Sequence, residues 1–118
     1  MAQKYIIGDV VMYNNEVHTI IDILASNRYE LSYVRHPVSP LRLSGVPITL
    51  EILEKNGWKA SSECRWIYAK EDNVKIFRLL DDIHYAAYIG FVRLLEFQHI
   101  HQLQHLLFGI GLNSEMEV

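Results

Sequence analysis

The feature that most constrains this chain is the segment HIHQLQHLLFGIGL at residues 99–112. At about 100° per residue, Ile100, Leu103, Leu106, Leu107 and Ile110 fall in one sector roughly 100° wide, the stripe of a helix lying on a core. Gln98, His101, Gln102, Gln104 and His105 fall outside that sector. Gly109 and Gly111 follow the last periodic residues, where a left-handed residue commonly ends a helix and glycine adopts it without a Cβ clash. The spacing therefore predicts a helix that stops within residues 108–112. Beyond it, NSEMEV (113–118) alternates Met116 and Val118 with Glu115 and Glu117, the pattern of a short edge strand.

A chain of 118 residues is the size of one domain and buries a core without metal or disulfide staples. We expect a single domain with two lobes, residues 1–46 and 47–118. The longest apolar run, YAAYIGFV (85–92), is far short of the roughly 18 residues a membrane span needs, and no basic-then-apolar signal opens the chain. A cytoplasmic location is the expectation. Cys64 is the one cysteine, which excludes an intrachain disulfide or a cysteine-based zinc site. Nothing beside it in sequence would activate its thiol, so it reads as a small packed side chain.

The first lobe reads as strands. Residues 5–12 form one, Tyr13-Asn14-Asn15-Glu16 supplies turn chemistry, and the β-branched VHTIIDIL (17–24) is the partner. Ser26-Asn27-Arg28 turns again, and residues 29–35 place Tyr29, Leu31 and Tyr33 on one face. Such a meander, opening with GDVV, resembles in pattern the first half of a small SH3-like barrel, a fold that hosts many functions and assigns none. HPVSPLRLSGVP (36–47) holds all three prolines and reads as a loop between lobes. Its Arg35, His36 and Arg42 are the local concentration of cationic groups in the first half, either an anion-contacting loop or a solvated linker.

ITLEILEKNGW (48–58) has legible helix ends. Thr49 caps, Glu51 and Glu54 sit toward the positive end of the dipole, and Asn56-Gly57 stops the helix before Trp58 folds back. VPITLEILEKNGWK, together with IHQLQHLLFGIGLNSEMEV, resembles a group of small proteins carried by phages, prophages and other mobile elements of gut anaerobes. These show a Pro-Leu-Thr-x-Glu-(Ile/Leu)-Leu-x-Lys-x-Gly-Phe segment and a Tyr-Val-His-Gln-Leu-Gln-(Asn/His)-Leu segment. The match covers about a third of the chain. Ile48 and Trp58 stand where the group has leucine and phenylalanine, and Ile100 takes the valine position. The resemblance implies a phage or host context and a shared fold, and it brings no activity with it.

Between those blocks, RWIYAK (65–70) and VKIFRLL (74–80) flank Glu71-Asp72-Asn73 as a hairpin. Asp81-Asp82 turns the chain, and residues 83–91 alternate; residues 92–97 either prolong that strand through a bend at Gly90 or form another. The expected fold is α+β: an antiparallel β-meander, then a small antiparallel sheet with two helices packed on one face.

Several chemistries can be weighed. His101 and His105 lie at i, i+4, a spacing that lets two imidazoles reach one metal, but His99 is about 200° from His101 on a helix. The acid that HExxH motifs place between their histidines is Gln102 here. The acidic pairs read as turn formers, and Gly109-x-Gly111 is no dinucleotide fingerprint, so neither a cofactor nor catalysis is expected. Phe108 lies near His101 and His105 in angle, opposite the leucine stripe, and these three form a candidate interface for a protein partner or a second copy. Against this non-enzymatic interaction module stands a single-stranded nucleic-acid binder. Lys59, Arg65, Trp66, Tyr68, Lys70, Lys75 and Arg78 interleave cations with aromatics as such proteins do. The net charge of −3, all of it arising in residues 47–118, weighs against a duplex partner.

Overall fold

The computed structural model describes residues 5–61, 67–70, 74–81 and 83–118. Cys64, Arg65, Trp66, the turn at 71–73 and Asp82 lie outside the described residues. The architecture is α+β, with two antiparallel sheets and two helices.

The first sheet is built from β1 (Val10–Tyr13), β2 (Glu16–Leu24), β3 (Arg28–Leu31) and β4 (Ser44–Gly45), in the order β3-β2-β1-β4. Asn14 and Asn15 join β1 to β2 with φ of 50° and 63°, the paired positive values that a two-residue type I′ hairpin requires and that asparagine tolerates. Strand β1 begins at Val10, later than alternation predicts, because Gly8 (φ 96°) and Asp9 turn the chain ahead of it. Strand β3 likewise ends at Leu31. Tyr33 has φ 61° and is fully exposed, so it leaves the face that Tyr29 and Leu31 share. Residues 36–47 are more than a linker: Val38 bridges Tyr29, and β4 pairs with β1. Pairing and the burial of Val38 and Leu43 draw this proline-rich stretch into the first sheet.

After it come α1 (Leu50–Lys55) and the second sheet: β5 (Lys59–Ala60), β6 (Ile67–Ala69), β7 (Val74–Arg78), β8 (Tyr85–Ile89) and β9 (Val92–Phe97), paired in chain order. Thr49 Oγ1 accepts the Ile52 amide at 3.2 Å, and Gly57 (φ 89°) ends α1 so that Trp58, only 2% exposed, returns over it. Residues 83–97 are not one bent strand. Gly90, at φ 58°, turns β8 into the separate strand β9. The chain ends with α2 (Ile100–Gly109), followed by the left-handed Gly111. The tail forms no strand. Asn56 takes both hydrogen-bonding groups of Glu117, accepting its amide at 2.8 Å and donating to its carbonyl at 2.8 Å, while Met116 packs on the core.

Two apolar cores result. Leu53, Trp58, Ile100, Leu103 and Leu107 from the helical segments meet Tyr68, Val74, Ile76, Tyr85, Ala87 and Phe97 from one face of the second sheet. The other core holds Tyr5, Val11, Ile20, Tyr29, Leu31, Val38 and Leu43. Successive strand residues point to opposite faces, so β1 serves both, with Val10 in the helical core and Val11 in the meander core. Fully burying one such aliphatic side chain contributes about 1.5–3 kcal/mol, which makes Leu103 and Ile100, both wholly buried, principal anchors of α2. The entry to α2 is tied to the entry to α1 by the Ile48 amide on the Gln98 carbonyl (3.0 Å) and the Ile100 amide on the Val46 carbonyl (2.8 Å). Among the described residues no helix is long and apolar enough to cross a membrane.

Candidate functional site

Two groups of polar and aromatic side chains could carry function: the histidine-bearing side of α2 and the face of the second sheet turned away from the helical core. The leucine stripe of α2 packs on the second sheet as the spacing predicts, but its other side does not look outward. That side meets the start of the first sheet. Gln104, 2% exposed, accepts the Val10 amide through Oε1 at 2.8 Å and donates through Nε2 to the carbonyls of Gly8 (2.9 Å) and Ser114 (3.1 Å). His105 Nε2 lies 2.6 Å from Asp9 Oδ2, which also accepts the Ile6 amide at 2.9 Å. Burial pushes the Asp9 carboxyl above its ordinary range, against the pull of the Ile6 amide and the His105 ring.

His101 is 6% exposed and edge-on to Tyr5, with ring centroids 5.0 Å apart. It stacks against His99 at 5.7 Å and meets the His105 ring edge-on at 5.8 Å. A Cβ on Gly45 would come within 2.6 Å of the His99 ring and 2.9 Å of His101 Cε1, so β4 can approach this row only as glycine. Gln102 closes the start of the helix, its Oε1 accepting the amides of Gln98 and His99 at 3.0 Å each.

The expected interface of His101, His105 and Phe108 is thus corrected. His101 is internal and His105 half-buried against Asp9, while Phe108 alone of the three stands out at 66% exposure. As for metal, His105 is engaged by a carboxylate, and among the described residues no group of three or more His, Cys, Asp or Glu side chains is placed to hold an ion.

The second sheet differs. Its inner face is core, and register identifies the outer one. Lys59 pairs with Ala69, Ala69 with Lys75, Lys75 with Tyr88, and Tyr88 with Arg93, so these five form one row crossing every strand. Beside it runs a second row, Ile67, Phe77, Ala86 and Glu96. Paired residues share a face, so none of these side chains belongs to the helical core. The rings of Phe77 and Tyr88 lie 4.7 Å apart at 45°, over Ala86, which is fully buried. Lys59 and Lys75 are exposed, and Lys59 and Lys70 line a cavity of about 580 Å³ at the β5–β6 end. The acid on this face, Glu96, is held by Arg93 at 2.7 Å.

No family model, curated protein or solved structure matches the chain.

Of the seven residues expected on a nucleic-acid surface, Lys59 and Lys75 stand in one row and Lys70 flanks it. Arg65 and Trp66 lie outside the described residues. Tyr68 is corrected: it is 4% exposed and packs inward, its neighbours Ile67 and Ala69 taking the outer face. Arg78 pairs with Tyr85 and falls, by alternation, on the inner side. Phe77, Tyr88 and Arg93 were missed by sequence reasoning. The alternation of Val74 and Ile76 against Lys75 and Phe77 carries the signal, since it sends Phe77 to the face of a lysine. Of the acidic pairs, Asp81 is described: it accepts the amides of His84 (2.9 Å) and Ile83 (3.0 Å), which with the His84 ring at 2.6 Å hold its carboxyl down to about 2, and its hydrogen bond in turn raises the His84 imidazole.

Proposed function

We propose that this chain is a non-enzymatic binding module that holds single-stranded nucleic acid on the open face of its second sheet. The observation that carries the reading is the row Lys59, Lys75, Tyr88 and Arg93, flanked by the Phe77–Tyr88 ring pair. Phe77 and Tyr88 are half-buried and leave part of their rings open; bases stack on such aromatic faces whatever their sequence, and cations beside them meet the backbone phosphates. At about 4.8 Å per strand, two steps separate Lys59 from Lys75 by about 10 Å, long enough to meet more than one phosphate. The net negative charge does not oppose this, because the one acid in the two rows, Glu96, is paired with Arg93, which leaves Lys59 and Lys75 as the row's cations toward a ligand. A resemblance to phage and prophage proteins fits a module that handles nucleic acid in the cytoplasm of a host.

A protein partner is the second reading, favoured by β9. It is the last strand of its sheet, and Phe91, Val92, Leu94 and Leu95 are exposed along it, as on an edge that another chain could cover. Anisotropy of a labelled single-stranded oligonucleotide, titrated at low and high salt, separates the two. Binding that weakens steeply with salt supports the nucleic-acid reading. No binding at low salt removes it and leaves the partner reading, whose homodimer version light scattering removes if the mass stays monomeric at every concentration.

A further inference from the structure

The loop after β3 builds a second cationic concavity that the sheet-face proposal does not use. A cavity of about 440 Å³, within the range typical of small-ligand sites, is lined by Arg28, His36, Ser39 and Arg42, with Tyr13 and Pro37 as its less polar wall. Its lining includes no acidic side chain. Among the described residues neither Arg28 nor Arg42 belongs to an ion pair.

The backbone fixes where these side chains start before any ligand arrives. Val38 and Tyr29 exchange two hydrogen bonds, of 2.8 and 2.9 Å, and this antiparallel bridge sets Arg28 opposite Ser39. Ser39 then caps a single helical turn, Pro40–Arg42, its Oγ accepting the Leu41 amide at 3.3 Å and its carbonyl the Arg42 amide at 3.0 Å. That turn brings the second guanidinium back to the rim, and Pro37 and Pro40 restrict the backbone on either side of Val38. Arg28 and Arg42 line one cavity with no carboxylate in its lining, so an anion bound there meets uncompensated positive charge.

The geometry points to a binding site for a small phosphate monoester. Arg28 and Arg42 offer paired N–H donors that match phosphoryl oxygens, the Ser39 hydroxyl adds a donor from the loop, and Tyr13 and Pro37 supply the less polar wall for the ester's organic group, while the His36 ring is held by the Pro37 carbonyl at 3.3 Å. A single carboxylate leaves part of this donor set unused, whereas a phosphoryl dianion with three oxygens engages it.

The probes are inorganic phosphate and phenyl phosphate, titrated into the whole chain at constant ionic strength and followed by calorimetry. Saturable binding is expected, with phenyl phosphate several-fold tighter than inorganic phosphate because of the wall formed by Tyr13 and Pro37. Arg28→Gln and Arg42→Gln each weaken it by about tenfold or more, the loss for one charge-assisted contact. Arg35→Gln, outside the cavity lining, leaves it unchanged. Both arginines are exposed, so unchanged thermal midpoints confirm that the variants fold. The inference is overturned by a response that never saturates, by acetate binding as tightly as phosphate, or by equal weakening in Arg35→Gln. Because this cavity and the sheet face share no residue, neither result bears on nucleic-acid binding by the other surface.

Discussion

The histidine row on α2 and the cation row on the second sheet hold similar chemistry in opposite states. His99, His101, Gln104 and His105 are taken up by partners inside the chain: β4, Tyr5, the Val10 amide and Asp9. Lys59 and Lys75 reach out from a sheet whose other face already supplies the core. A polar side chain with internal partners specifies how elements meet, and one without them is available to a ligand. Substitutions in the first row should therefore cost stability and spare binding, and those in the second should do the reverse.

The largest effect is expected at Gln104. Gln104→Leu keeps the volume but leaves the buried Val10 amide and the Gly8 carbonyl unsatisfied, and the unfolding free energy by urea titration should fall by about 3 kcal/mol. Gly45→Ala follows, at about 2 kcal/mol, because its Cβ would enter the His99 and His101 rings and His101 is buried. A loss under a few tenths of a kcal/mol would show that β4 is free to move away from α2.

On the sheet, Tyr88→Leu should weaken oligonucleotide binding by about 1–2 kcal/mol, the scale of one stacked base, while thermal unfolding stays close to that of the parent chain. Lys75→Gln should flatten the dependence of log affinity on log salt by about 0.7, the contribution of one phosphate contact on a single strand. Unchanged slopes would place the phosphates elsewhere.

The smallest effect is at Asp9, and it takes the form of a pH slope. Its folded carboxyl is raised above 3.8, so the folded state holds the proton more tightly than the unfolded one. That contribution to stability is complete below 3.8 and is lost as pH rises through the raised value. Midpoints of Asp9→Asn and of the parent, measured across this range, should differ in slope, the variant being flatter. Parallel profiles would mean that Asp9 titrates alike in both states.

How much of this was legible beforehand follows from where each signal sits. Both helices were, because Leu103 and Leu107 repeat at helical spacing and because Thr49 and Asn56-Gly57 mark the ends of α1. The Asn14-Asn15 hairpin was legible for a similar local reason. Strand β4 was not, since two residues carry no periodicity and only pairing to β1 makes them a strand. Nor was the inward turn of Tyr68, because Ile67 and Ala69 are apolar as well and a strand with apolar groups on both sides does not reveal its faces. The histidine side of α2 was misread for a deeper reason. Polarity locates a side chain away from apolar packing, but it does not tell solvent from the polar groups of a neighbouring strand end, and Asp9 and the Val10 amide are that neighbour.

Amide chemical-shift mapping during titration with single-stranded oligonucleotide tests the central contrast most directly. Shifts concentrated at Lys59, Ala69, Lys75, Phe77, Tyr88 and Arg93, with His101 and His105 silent, are the predicted result. Shifts centred on the histidine row, or none anywhere at low salt, would contradict it.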